Sequence, residues 1–328
     1  MAHQRISRRA AICAGLSVAA AGVLAGAGYG LVEAGELPGR YQLAKVLGAC
    51  GSAPPPQAGP LPVRHTERFW SEYRHRQVTM VTLVPARAPS PHGLGTVVAL
   101  HGLGGDAAGT ARSVARAMAA GQIPGPDRDR FAVITVDGGT TYWHRRADDD
   151  PQGMIIHEVL PRAAALGLAT GRIGIVGESM GGYGALLLAE RLGGGPGTIS
   201  TAAARTTAAR ATAGSAPGPQ AAAVAAISPA IFASYPDARR ADSRSFDGSA
   251  DFTANNVFTQ ISALRRIPAF IACGTDDPFE PQARLMRERL TRLTGHPPAG
   301  LLTGGCHDVA FWARNLPAGL TFLSTFLP

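Results

Sequence analysis

Lysine is almost missing from this chain. Lys45 is the only one, so the remainder of the 31 basic residues are arginine. They are scattered through a background rich in Ala, Gly and Pro, with no basic stripe and no recognition motif, despite a net charge of +8. That distribution fits a GC-rich coding bias better than selection for a basic surface, and no nucleic-acid partner is expected. Charge is also scarce, at 16% of residues, which excludes a disordered polyelectrolyte. His65, His75 and His157 have no metal-ligand spacing around them, so no metal is expected there.

What is present is apolar chain. Hydrophobic residues make up 45% of 328, enough for one large domain with a real core or two small ones. The N-terminus reads as an export signal. His3, Arg5, Arg8 and Arg9 form a basic start, and no charge follows until Glu33. Ser7-Arg8-Arg9 resembles the opening of a twin-arginine signal, and Ala25-Gly26-Ala27 offers a small-residue cleavage site. Residues 1–27 are therefore expected to direct export, to the medium or the cell envelope. An uncleaved membrane anchor is the alternative, and would be the only membrane contact. Removing the signal takes three arginines with it, so part of the basicity belongs to targeting. Four cysteines stand at 13, 50, 273 and 306. In an oxidising compartment the three beyond the signal would give one disulfide and one free thiol, in a pairing left open.

Residues 28–66 read as a linker, with Pro54-Pro55-Pro56 and nearby glycines arguing against regular structure. Glu67 to Pro85 is strand-like. Beyond it, short apolar runs at 96–100, 131–136, 172–176, 222–227, 269–273 and 300–303 alternate with helical patterns. These patterns lie at 107–120, 152–166, 180–192, 254–266, 279–293 and 309–325. Asp150-Pro151 is a helix start, and the run Asp148-Asp149-Asp150 reads as its dipole complement rather than a metal site. Apolar strands separated by helices imply an α/β fold with a mostly parallel twisted sheet covered on both faces. Residues 193–220, built from small and polar residues, read as a flexible insertion.

Gly177-Glu178-Ser179-Met180-Gly181 follows the strand Arg172-Ile-Gly-Ile-Val176 and precedes a helical pattern. Strand, sharp turn and helix is the arrangement that lifts a serine hydroxyl above a sheet edge, so Ser179 is the expected nucleophile. A serine needs an adjacent base. His307, in Gly304-Gly305-Cys306-His307-Asp308, follows the last strand, whereas His296 lies before it, at the far end. The acid belongs on the preceding loop, Cys273-Gly274-Thr275-Asp276-Asp277-Pro278. Asp277 is favoured by the spacing Gly-x-x-Asp, and Asp276 is the alternative, with helix capping as its other role. His101-Gly102-Leu103-Gly104-Gly105 follows the strand at 96–100 and is placed to supply an oxyanion donor. The N–H groups of Leu103 and Met180 are the expected pair. His101, Glu178, Trp143 and His144 are candidates for lining the substrate cleft, with loop orientation the other role for His101.

Four segments agree with one family. They are the His101 loop, Gly177-Glu-Ser-Met-Gly-Gly-Tyr-Gly-Ala, Cys273-Gly-Thr-Asp-Asp-Pro-Phe and Gly305-Cys-His-Asp-x-x-Phe-Trp312. Together they resemble the esterase D / antigen 85 group of α/β-hydrolases over residues 67–326. Thr141-Tyr142-Trp143-His144-Arg145 resembles a pattern of actinobacterial, twin-arginine-exported members. The resemblance implies hydrolysis of a small-molecule ester or acyl lipid, or acyl transfer to an alcohol. The reaction would use a Ser-Asp-His triad without cofactor. A non-catalytic exported envelope-binding protein is the remaining alternative.

Overall fold

The computed structural model describes residues 48, 50–55, 59–120, 130–193 and 218–328. The chain divides into two units, Met1–Ala49 and Cys50–Pro328. Only Gly48 of the first is among the described residues, and every described strand and helix belongs to the second. The signal at 1–27, the linker up to residue 47 and residues 194–217 of the insertion lie outside the described residues. Among those described, no helix is long and apolar enough to cross a membrane.

Eight strands form one sheet: β1 (Val63–Ser71), β2 (Arg76–Val84), β3 (Gly95–Leu100), β4 (Phe131–Val136), β5 (Ala169–Glu178), β6 (Gln220–Ile227), β7 (Ala269–Gly274) and β8 (Leu302–Thr303). Their order is β1-β2-β4-β3-β5-β6-β7-β8. β1 and β2 pair antiparallel, as do β2 and β4, and the rest of the sheet is parallel. The helices are α1 (Ala107–Ala119), α2 (residues 151–165, with a π-helical middle at Ile155–Val159), α3 (Met180–Gly193), α4 (Tyr235–Ala241), α5 (Ser249–Asn255), α6 (Glu280–Thr294) and α7 (Val309–Ser324).

The period-2 alternation of each strand sorts its side chains onto two cores. Val98, Leu100, Ile134, Ile175 and Val224 face one layer, which also holds residues of α2, α3 and α6. Val97, Ala99, Val133, Val176 and Ala225 face the other, against α1 and α7. Strands buried on both faces in this way need continuous apolar runs, which is why β3, β4 and β7 carry them. The same alternation puts Gly177 on the α3 side and sends the Glu178 side chain toward α1 and α7.

Aspartates fix the helix starts. Asp106 accepts from Gly109 N, Asp150 from Gly153 N and Asp308 from Phe311 N, and each sits at an N-cap. Asp149 instead takes the buried Arg74 guanidinium through Nε and Nη2, at 2.6 and 2.8 Å. The acidic run thus provides ion pairs to Arg74, Arg76 and Arg191 and one cap.

Three readings of the sequence are corrected. The strand-like stretch Glu67–Pro85 belongs to a two-stranded hairpin that begins earlier, at Val63, inside the expected linker. No Gly or Asn marks its reversal. His75, at φ 49°, makes the turn. The pattern at 254–266 is not one helix. α5 ends at Asn255, and Asn256 breaks the path by accepting from Phe258 N through its side chain, before a 3₁₀ turn at Ile261–Arg266. Helix α4 has no counterpart among the expected helices, although Ser234-Tyr235-Pro236-Asp237 carries a cap and an early proline that mark its start.

Candidate active site

Ser179 stands between β5 and α3 with φ at 55°, a left-handed conformation rare for serine. Two close approaches force that turn. A Cβ on Gly177 would meet Gly181 O at 2.0 Å, and a Cβ on Gly181 would meet Leu100 O at the same distance. Backbone bonds hold the serine. Its N–H donates to Ile227 O at 3.0 Å, and its carbonyl accepts from Ala230 N and Tyr183 N at 2.9 and 3.1 Å.

The loops after β7 and β8 reach this turn. His307 Nε2 lies 2.8 Å from Ser179 Oγ, and His307 Nδ1 lies 2.8 Å from Asp277 Oδ2. Asp277 is buried, and its other oxygen accepts from Phe279 N at 2.8 Å. Asp276, the alternative acid, uses its backbone N–H to hold Gly305 O at 3.0 Å. The His307 ring meets Phe279 and Trp312 edge-on, with centroids at 5.1 and 5.3 Å. These two rings leave the imidazole little rotational freedom.

The loop after β3 flanks the serine. A Cβ on Gly102 would lie 3.4 Å from Ser179 Cβ and 3.9 Å from Oγ, and Gly105 N closes the loop on Gly102 O at 3.0 Å. Leu103 sits at the tip of this turn. Met180 opens α3, where first-turn N–H groups have no partner within the helix.

Of the four residues expected to line the cleft, three are packed inside. Gly138 N donates to His101 Nε2 at 2.9 Å, so the ring proton sits on Nδ1, 2.8 Å from Gly102 O. Burial pushes the His101 imidazole below its ordinary pKa, which keeps it neutral in this role. Trp143 is fully buried and donates from Nε1 to His101 O at 3.0 Å. His144 stacks on Phe246 at 4.9 Å with Nε2 2.9 Å from Ser245 O. Trp143 and His144 are therefore structural supports and not cleft residues.

Glu178 is the exception. It is half-buried, and burial of its carboxyl pushes its pKa up to about 7 while the charge of His307 opposes the rise. Cys50 and Cys306 form a disulfide, so the residue before His307 is tied to the N-terminal stretch, and Cys273 is free and buried. Arg314 adds to the tie by donating to Ser52 O and Cys50 O at 2.9 and 3.2 Å. Sequence reasoning meets Phe279 only as the end of a family segment and leaves Cys50 as one of three cysteines open to pairing. Nothing local marks their partners, because each works only across a large chain separation.

No family model and no curated protein matches the chain. Solved structures do. A ferulic acid esterase is 18% identical with a TM-score of 0.60, over 82% of this chain and 99% of its own. FphF, a fluorophosphonate-binding serine hydrolase of Staphylococcus aureus, is 17% identical with a TM-score of 0.60, over 81% of this chain and 99% of its own. An S-formylglutathione hydrolase from Agrobacterium tumefaciens is 16% identical with a TM-score of 0.58, over 83% of this chain and 98% of its own. At these identities the likeness speaks for architecture, and together with the strand order it establishes that the chain has the α/β-hydrolase fold.

Proposed function

We propose that this chain is a serine hydrolase of carboxylic esters, with Ser179 as nucleophile, His307 as general base and Asp277 as its orienting acid. The observation that carries the reading is the unbroken relay from Ser179 Oγ through both His307 nitrogens to Asp277, each step at 2.8 Å. A hydroxyl within that distance of an imidazole can pass its proton as it attacks. The esterase and hydrolase names of the structural neighbours support the same chemistry.

Ser179 Oγ bonds to the ester carbonyl carbon while its proton moves to His307 Nε2. The tetrahedral oxyanion is held by the N–H groups of Leu103 and Met180. Nε2 then gives its proton to the leaving oxygen as the carbon–oxygen bond breaks, releasing the alcohol and leaving an acyl-serine. Water next loses a proton to Nε2 and adds to the acyl carbon. Ser179 departs with that proton, freeing the acid. Asp277 keeps the Nδ1–H tautomer and stabilises the transient imidazolium. An alcohol in place of water would make the second step an acyl transfer.

Export is part of the proposal. The basic, then uncharged, N-terminus supports it, and so does the Cys50–Cys306 disulfide, since such bonds persist in oxidising compartments.

The test is p-nitrophenyl ester turnover together with labelling by a fluorophosphonate probe. Wild type should do both, and Ser179→Ala neither, with its circular dichroism spectrum retained. Turnover that survives Ser179→Ala would sink the assignment, and a wild type that takes no label would favour a non-catalytic role. Repeating turnover with an added alcohol acceptor measures transfer against hydrolysis.

A further inference from the structure

Beside the relay lies a groove of about 610 Å³ between α1 and α7. That volume is in the range of small-molecule sites. Ala117 of α1 and Ala120 at its C-terminal cap line it, with Val309, Trp312, Ala313 and Leu316 of α7. Its roof is the strap Ala53-Pro54-Pro55, and Glu178 borders it. The strap is fixed by the Cys50–Cys306 bond and by the Arg314 contacts to Cys50 O and Ser52 O. Two prolines add stiffness. A roof tied down in this way keeps the groove open where a free segment could collapse into it.

Two of its lining residues neighbour the relay. Glu178 directly precedes Ser179, and Trp312 meets the His307 ring at 5.3 Å. Its walls are mostly apolar, with Ser113 and Arg116 of α1 as polar members, and Val309 on its border is 72% exposed. Apolar surface of this kind gains by covering an apolar ligand.

We propose that this roofed groove holds the acyl chain of the substrate, so that the enzyme prefers esters of medium-length apolar acids; this rests on the serine-hydrolase reading above. The acyl part is the half of the ester suited to a roofed site. It stays bonded to Ser179 through the intermediate, whereas the alcohol must leave and water must enter. Glu178 fits such an occupant as well, because its raised pKa lets the carboxyl stay mostly uncharged below neutral pH.

The experiment compares kcat/KM for p-nitrophenyl octanoate and acetate in the oxidised protein. Wild type should prefer octanoate. Ala313→Phe, filling the groove from α7, should lower the octanoate-to-acetate ratio at least tenfold, as should Cys50→Ser, which frees the roof. Ala120→Phe fills the groove from α1 and serves if Ala313→Phe does not fold. A second readout needs no turnover: calorimetric titration of sodium octanoate into Ser179→Ala protein, with and without Ala313→Phe. Binding weakened at least tenfold by the phenylalanine supports the groove. A wild type indifferent to chain length, a ratio within twofold of wild type in the folded variants, or no octanoate binding would overturn it. Failure of the underlying reading looks different: neither ester is turned over in a Ser179-dependent way.

Discussion

Gly181 and the Leu100 carbonyl are so close that a Cβ built on the glycine would fall 2.0 Å from the oxygen. This contact joins the serine turn to the end of β3, where the flanking loop begins. It sets how near Gly102 and Leu103 stand to Ser179.

Gly181→Ala should therefore damage both the turn and the fold. The added methyl meets backbone on a central strand, which cannot yield cheaply. A loss of about 2–4 kcal/mol is expected, the range of severe core defects. Urea denaturation followed by circular dichroism measures it, and fluorophosphonate labelling reports the state of Ser179. A variant with wild-type stability and labelling would show that the strand gives way.

Asp277 and Asp276 are neighbours in sequence, and it is the Asp277 carboxylate that stands 2.8 Å from the imidazole Nδ1. Asp277→Asn should reduce kcat by about 10⁴-fold, because the amide favours the wrong tautomer. Asp276→Asn should change kcat far less. The two variants assayed side by side on one ester decide the matter, and equal losses would contradict the geometry.

Glu178 gives a pH signature. Its pKa in the fold is about 7, against an ordinary 4.5, with burial as the main cause. Between those values the unfolded chain loses the proton and the folded chain keeps it, so stability falls as pH rises from 4.5 toward 7. Above 7 the carboxylate helps to stabilise the imidazolium that forms on His307. Glu178→Gln should flatten the stability slope over that window. It should also lower the ratio of kcat/KM at pH 8 to that at pH 6 by roughly fivefold, about 1 kcal/mol of charge interaction. Denaturation series and pH–rate profiles of the two proteins check this, and parallel profiles would remove Glu178 from the chemistry.

Glu190, on α3, is a buried acid with no hydrogen-bond partner on either oxygen among the described residues. Burial raises its pKa well above the ordinary value. Its contribution is least unfavourable below the unfolded pKa, near 4.5, and worsens as pH rises from there. Glu190→Met removes the unsatisfied group and should stabilise the protein by about 1–3 kcal/mol at pH 8, with a smaller gain at pH 4. Thermal melts at both pH values test it, and a destabilised variant at pH 8 would contradict it.

The parallel strands are legible in the sequence because a strand buried on both faces must be apolar throughout, and β3, β4 and β7 contain little else. The order of Ser179, Asp277 and His307, each on a loop after a strand, comes from the same pattern. Less is legible where a structure depends on partners far away. The β1–β2 reversal has no turn residue to mark it, and local side-chain bonds at Asn256 break what periodicity reads as one helix. Trp143 and His144 stand on a loop beyond the C-terminal end of β4, where a cleft is expected. Their partners, His101 O and Ser245 O, exist only once the loops have packed.

Sequence by itself, then, determined the layers of the sheet, the serine turn and the residue types on each loop, because periodicity and glycine spacing act over short stretches of chain. Tertiary structure decided which of two aspartates faces the imidazole, which cysteine pairs with Cys306 and which aromatic rings are buried. Those choices turn on distances between segments up to 256 residues apart, and a one-dimensional pattern does not hold such distances.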